Sequence, residues 1–319
     1  MIKARGLTRT FAVRSRGKRG RTVEAVRGID LDVASGELVG FLGPNGAGKT
    51  TTLRMLTTLL TPTSGEALVA GADLLADPAG VRARIGYVGQ GNGGGLDQKV
   101  GHELIMQARL YGLAAAQAEH RAHEVAETFE LTELLDRIVI TLSGGQKRRL
   151  DIALGVLHRP SLVFLDEPST GLDPQSRDNL WRHIRDLRDK HGATVFLTTH
   201  YLDEADALCD RIVIIDNGRI VAEGTPDELK SRVAGDLVEL GVSEPERAAA
   251  LVASLPGATS PARTQSQVSF RVPRGDTVLP GLLRELDRAQ VRVDAVATHR
   301  PTLDDVFLGL TGRSLREAA

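Results

Sequence analysis

The sequence predicts an α/β protein whose larger part is built on a parallel β-sheet, followed by a smaller α+β module. Three observations point there. From residue 43 to about 200, Gly-rich turns and short apolar runs alternate with amphipathic segments, as strands and crossover helices of a parallel sheet do. The apolar run Leu38-Val39-Gly40-Phe41-Leu42 leads directly into Gly43-Pro44-Asn45-Gly46-Ala47-Gly48-Lys49-Thr50. After Gly224-Thr225-Pro226 the order becomes strand, helix, two strands, helix and strand, which fits a ferredoxin-like module.

Along the chain, residues 31–33 and 37–42 read as strands separated by an Ala34-Ser35-Gly36 turn. Ahead of them lies Arg14-Ser15-Arg16-Gly17-Lys18-Arg19-Gly20-Arg21, five cations in eight residues, read as a solvated loop. Residues 51–60 predict a helix. Residues 162–165 and 194–198 predict strands buried on both faces. Helices are expected over 174–190 and 205–211, then a hairpin of 212–216 and 219–222 about Asn217-Gly218, the preferred pair for a type I′ turn. In the last part, strands are expected at 236–242, near 258–263 and 267–272, and at 291–297, with helices at 246–255 and 278–289. The expected domains are 1–230 and 231–319.

Composition narrows the function classes. In 319 residues, 40 basic and 41 acidic side chains leave a formal charge of −1, so no global pull toward nucleic acid is expected. No uncharged stretch approaches the ~20 apolar residues of a membrane helix, and the N-terminus lacks a secretory apolar core. The single cysteine, Cys209, excludes an internal disulfide and predicts a small core residue. The expectation is an intracellular chain that does not itself span a bilayer.

The chemistry is carried by three segments. Gly43–Thr50 satisfies G-x-x-x-x-G-K-[ST] between a strand and a helix. Its glycines let successive N–H groups face phosphate oxygens, and the helix N-terminus adds partial positive charge. Lys49 is expected on the β- and γ-phosphates, Thr50 on Mg²⁺, and Thr51 beside them. Leu162-Val163-Phe164-Leu165-Asp166-Glu167 is an apolar strand ending in two carboxylates, at the strand end where such sheets place ligands. Asp166 is expected to hold Mg²⁺ and Glu167 to activate the attacking water. Third, Leu142-Ser143-Gly144-Gly145-Gln146 opens a helix, with Ser143 as its cap and the two glycines allowing close approach of an anion.

Together these segments resemble an ATP-binding cassette (ABC) ATPase. The resemblance implies a P-loop NTPase cassette with a parallel-sheet core, an N-terminal antiparallel β subdomain and an α-helical signature subdomain. It further implies roles for Gln90 (the Q-loop glutamine, near Mg²⁺ and the membrane partner) and for Ser169-Thr170-Gly171-Leu172-Asp173 (the D-loop). His200 matches the switch histidine that contacts the γ-phosphate, and Phe11 the aromatic that stacks on adenine. Arg300-Pro301-Thr302-Leu303-Asp304-Asp305-Val306-Phe307-Leu308 and Arg109-Leu110-Tyr111-Gly112-Leu113 are similar to segments of daunorubicin-resistance-type exporter ATPases. The basic run at 14–21 and Gly91-Asn92-Gly93-Gly94-Gly95 depart from the family pattern.

The resemblance implies a homodimer in which two ATP molecules lie between one subunit's P-loop and the other's signature. It also implies separate integral membrane permease subunits, which place the chain peripherally at the cytoplasmic face of the membrane. ATP and Mg²⁺ are the expected cofactors, and efflux of a drug, antibiotic or lipid-like molecule the expected work. The alternative is an ABC-type ATPase acting on nucleic acid or the ribosome. One cassette, one cysteine and no heptad run argue against it.

Overall fold

The computed structural model describes residues 1–13, 21–91, 93–232 and 235–312. They fall into two compact units, one ending at Thr225 and one starting at Pro226.

The first unit opens with two long strands, β1 (Ile2–Val13) and β2 (Arg21–Val33), paired antiparallel. Only the last residues of β2 stand out as apolar in the sequence. The rest of the hairpin alternates polar and apolar residues around bulges near Gly6, which hides its periodicity. Most of the basic run, residues 14–20, lies outside the described residues. Next come β3 (Leu38–Leu42), wholly buried, and α1 (Lys49–Leu56), shorter than expected because Thr58 adopts φ 64° just beyond its end. The strands β4 (Ser64–Val69) and β5 (Ala72–Asp73) complete a sheet of order β2-β1-β4-β5.

After α2 (Pro78–Arg84) and β6 (Ile85–Val88) the chain makes three helices, α3 (Val100–Leu110), α4 (Ala115–Thr128) and α5 (Gly144–Val156). It returns through β7 (Leu162–Asp166), α6 (Pro174–Asp189), β8 (Thr194–Thr199), α7 (Leu202–Leu208), β9 (Arg211–Asp216) and β10 (Arg219–Gly224). The second sheet has order β10-β9-β3-β8-β7-β6, parallel except for β10.

The helix expected at 205–211 instead begins at Leu202 and ends at Leu208. Asp203 and Glu204 suit its first turn, and Arg211 is drawn into β9, where its guanidinium pairs with Glu37 at 2.6 Å. Asn217 (φ 48°) and Gly218 (φ 76°) make the expected type I′ turn. Cys209 is buried, its thiol pushed well up by desolvation, and its Sγ fills the space that a Cβ on Gly40 would need.

The second unit contains α8 (Pro226–Ser231), β11 (Asp236–Val242), α9 (Pro245–Ala253), β12 (Thr259–Arg263), β13 (Gln267–Val272), α10 (Gly275–Arg288), β14 (Val293–His299) and α11 (Leu303–Thr311). Its antiparallel sheet has order β12-β13-β11-β14, and the β-α-β-β-α-β sequence is the ferredoxin-like one. One face packs on α9 and α10 through Val238, Leu240, Phe270, Val252, Leu282 and Leu286. Thr302 and Asp305 form a capping box that starts α11.

Candidate nucleotide-binding and catalytic site

The parallel strands β3, β8 and β7 are neighbours, so their C-terminal ends bring three loops side by side. β3 delivers the Gly43–Thr50 loop, β7 delivers Asp166 and Glu167, and β8 between them delivers Thr198, Thr199 and His200.

Gly43, Pro44, Ala47 and Gly48 are buried, while Asn45 and Gly46 form the exposed tip of the loop. Gly48 has φ 108°, and a Cβ there would lie 2.6 Å from the Ala25 carbonyl oxygen. Glycine is therefore required twice over, by torsion and by space. The hairpin turn buttresses the loop: Gly218 N–H donates to Ala47 O at 2.9 Å, and Arg27 N–H donates to Gly218 O at 2.8 Å.

Lys49 is 4% exposed and donates to Gly43 O at 2.7 Å and Pro44 O at 3.2 Å. Its Nζ also lies 3.4 Å from Glu167 Oε1. Burial lowers the Lys49 pKa, opposed chiefly by the Glu167 carboxylate. Thr50 Oγ1 donates to Asp166 Oδ1 at 3.2 Å, and Thr51 follows in the first turn of α1. Thr198 Oγ1 donates to the same Asp166 oxygen at 2.6 Å and accepts the Glu167 N–H at 3.0 Å.

Glu167 has φ 46°, a left-handed conformation rare for a residue with a side chain. His200 Nδ1 lies 3.3 Å from Glu167 Oε1. His200 is the main cause of a lowered Glu167 pKa, acting with Lys49 against the opposing effect of burial. Glu167 is thus ionised at neutral pH, as a proton acceptor must be. Thr50 and Asp166 supply adjacent hard oxygen donors, a set that fits Mg²⁺ bound mainly through phosphate and water.

The remaining predicted residues are placed differently. Gln90 is exposed just beyond β6, and among the described residues no hydrogen bond joins it to Thr50 or Asp166. Ser143 caps α5: its Oγ accepts Gln146 N–H at 3.3 Å, while Gln146 Oε1 accepts Ser143 N–H at 3.0 Å. Gly144 and Gly145 form the first turn of α5, and no hydrogen bond or ion pair joins Ser143–Gln146 to the P-loop among the described residues. Asp173 caps α6, accepting Ser176 N–H at 2.9 Å and Ser176 O–H at 2.6 Å. Phe11 lies on β1 opposite Val23, with the Arg9 guanidinium 4.7 Å above its ring.

Residues 26–170 match the ABC transporter family, and residues 224–311 match the C-terminal domain of DrrA1-3-like ATP-binding proteins. The chain is 44% identical to daunorubicin resistance ATP-binding protein DrrA3 of Streptomyces coeruleorubidus, covering 95% of this chain and 96% of that protein. It belongs to the ABC transporter ATP-binding proteins of the daunorubicin-resistance type. Doxorubicin resistance ATP-binding protein DrrA of Mycobacterium tuberculosis H37Rv is 41% identical over 94% of this chain and 92% of its own. A dimeric ATP-binding cassette in a post-hydrolysis state, bound to ADP and Pi, overlays with a TM-score of 0.64, covering 70% of this chain and 98% of that one. At 24% identity that likeness speaks for the fold.

As an ABC cassette the chain binds and hydrolyses ATP. Sequence reasoning missed two groups that shape its site. Thr198 is a fully buried hydroxyl near the C-terminal end of β8, a signal visible in Thr198-Thr199-His200. Glu204, also fully buried, accepts from Ser169 Oγ and, at 3.2 Å, from Trp181 Nε1, tying the D-loop to the helix after His200.

Proposed function

We propose that the chain powers efflux of a drug, antibiotic or lipid-like molecule through separate membrane permease subunits, working as a homodimer with Mg²⁺-ATP. The observation that carries this reading is the convergence of Lys49, Thr50, Asp166, Glu167 and His200 at the C-terminal ends of β3, β7 and β8. The relatives' resistance names support the substrate class. The cassette is assigned the residues up to Thr225 and the accessory domain those from Pro226, which moves the expected boundary at 230/231 back so that α8 stays whole.

In the proposed site the P-loop N–H groups and Lys49 hold the β- and γ-phosphates. Bound at Thr50 and Asp166, with Gln90 nearby, Mg²⁺ would offset phosphate charge. Glu167 takes a proton from the attacking water, and His200 holds the Glu167 carboxylate and the γ-phosphate in register. Phe11 stacks on adenine. Ser143, Gly144, Gly145, Gln146 and Asp173 serve the partner subunit's nucleotide, which accounts for a second anion-binding helix start away from the first.

Permease docking is assigned to the surface beyond Gln90. Leu96 and Ile140 are exposed and joined by a 2.9 Å backbone bond, with exposed Ile138 beside them and Met106 and Leu110 on α3. Exposed apolar side chains of this kind mark contact surfaces. No described helix is long and apolar enough to cross a membrane, so the transport path is assigned to another chain. The nucleic-acid alternative rests on the basic run at 14–21 alone.

Gel filtration of Glu167→Gln tests the reading. With ATP the variant elutes as a dimer and without it as a monomer; a monomer under both conditions contradicts the shared-site arrangement.

A further inference from the structure

Arg148 lies in the basic run Lys147-Arg148-Arg149 on α5, one turn beyond the Ser143 cap. Unlike a surface cation it is buried, and it spends its guanidinium on main-chain oxygens. Nη1 donates to Gly89 O at 2.6 Å, Nε to Pro168 O at 2.8 Å and Nη2 to Asp166 O at 3.0 Å. The only carboxylate close to it on α5 is Asp151, 3.9 Å away and itself buried, which accepts the Gly93 N–H at 2.7 Å.

These carbonyls are specific in position. Asp166 and Pro168 flank Glu167, whose backbone is held in the left-handed region, and Gly89 immediately precedes Gln90. A strained residue persists only where its surroundings fix it. One rigid, planar cation therefore grips the chain on both sides of the base and just ahead of the Q-loop, from a helix that begins at the signature motif.

We propose that Arg148 is a positioning residue that transmits the placement of α5 to Glu167 and Gln90 of the same subunit, with Asp151 as its buried counter-charge. Resting on the shared-site dimer, the consequence is that seating the partner's nucleotide on Ser143–Gln146 sets the base of this subunit's own site. Gly93 and Gly95 then have a local role: the Gly93 N–H anchors Asp151, and a Cβ on Gly95 would lie 2.8 Å from Glu103 Oε1, so glycine lets the chain at these two positions lie close over buried carboxylates.

The test is steady-state ATP hydrolysis by the full-length chain carrying Arg148→Lys or Asp151→Asn. Lysine keeps the charge, but one ammonium cannot reach three carbonyls in a planar fan. The expected result for Arg148→Lys is a kcat at least about ten-fold lower with the ATP KM within about two-fold, because the P-loop is untouched. Asp151→Asn keeps an acceptor for Gly93 and loses only the charge, so a smaller fall in kcat is expected, again at constant KM. Unchanged kcat in a folded Arg148→Lys protein overturns the inference, as does a KM that rises in proportion. If Arg148→Lys does not fold, Asp151→Asn decides on the same criteria. A wild-type chain without Glu167-dependent hydrolysis would instead remove the reading on which the inference rests.

Discussion

Lys49 Nζ lies 3.4 Å from Glu167 Oε1, so the cation proposed to bind phosphate and the carboxylate proposed as the base neutralise each other. A γ-phosphate arriving at Lys49 competes with that carboxylate and is repelled by it. Glu167→Gln removes both effects while keeping the shape of the side chain. ATP is expected to bind at least as tightly as to wild type, while turnover falls by about 10²–10⁴, the usual worth of a general base. Equilibrium ATP titration beside phosphate-release kinetics checks this. Wild-type turnover in the variant would remove Glu167 from its role.

Thr198 braces both acidic residues: its hydroxyl proton goes to the Asp166 carboxylate, and its oxygen accepts the Glu167 backbone N–H. Thr198→Val preserves volume and strand propensity but strips Asp166 of a 2.6 Å donor and Glu167 N–H of one of its two acceptors. Buried polar groups left short of partners cost about 1–3 kcal/mol. The expected result is a loss of that size in urea unfolding together with reduced kcat. A variant with wild-type stability and rate would show that the hydroxyl is dispensable.

The two kinds of site residue differ in how visible they are in the sequence. Lys49, Asp166, Glu167 and His200 stand at strand ends within recognisable spacings, and the parallel sheet brings them together as that order predicts. Arg148 hides among Lys147 and Arg149 because charge runs on helices usually face water; only its packing beneath β6 and β7 turns it inward. The N-terminal hairpin was legible only at the end of β2, since bulges break its alternation. The Asn217-Gly218 turn could be read as a turn, but its bonds to Arg27 and Ala47 depend on three segments distant in sequence. Local chemistry is written locally; the bracing is tertiary.

Burial raises the Glu204 pKa above its ordinary 4.5, against the opposing hydrogen bonds from Ser169, Thr199 and Trp181. The folded state therefore holds a proton that the unfolded chain has already released, and stability falls as pH rises from the ordinary glutamic acid pKa toward the raised one. Glu204→Gln keeps an acceptor for Trp181 and Ser169 and does not titrate. The difference in unfolding free energy, wild type minus variant, should decline as pH rises above the ordinary glutamic acid value. Parallel urea titrations across that rise in pH test it, and a difference independent of pH would contradict the direction given. Glu204→Ala, which leaves the indole N–H and the Ser169 hydroxyl without their carboxylate, should be less stable than either across the range.

Gly145 and Ser176 fix the distance between α5 and α6. A Cβ on Gly145 would lie 2.7 Å from Ser176 Oγ and 2.9 Å from its Cβ, too close for rotation of the hydroxyl alone to relieve. Ser176 is not free to yield, because its N–H and O–H both bond Asp173, the cap of α6. Gly145→Ala should therefore push the signature end of α5 away from α6 while leaving the P-loop intact. ATP binding to the isolated chain is expected to stay near wild type, and hydrolysis, which in the proposed dimer needs the signature end seated on the partner's nucleotide, to fall at least about ten-fold. Combining it with Ser176→Gly removes the clashing atoms and should recover part of the rate. That recovery distinguishes a packing clash from loss of a direct phosphate contact by the glycine backbone, which the second substitution could not repair.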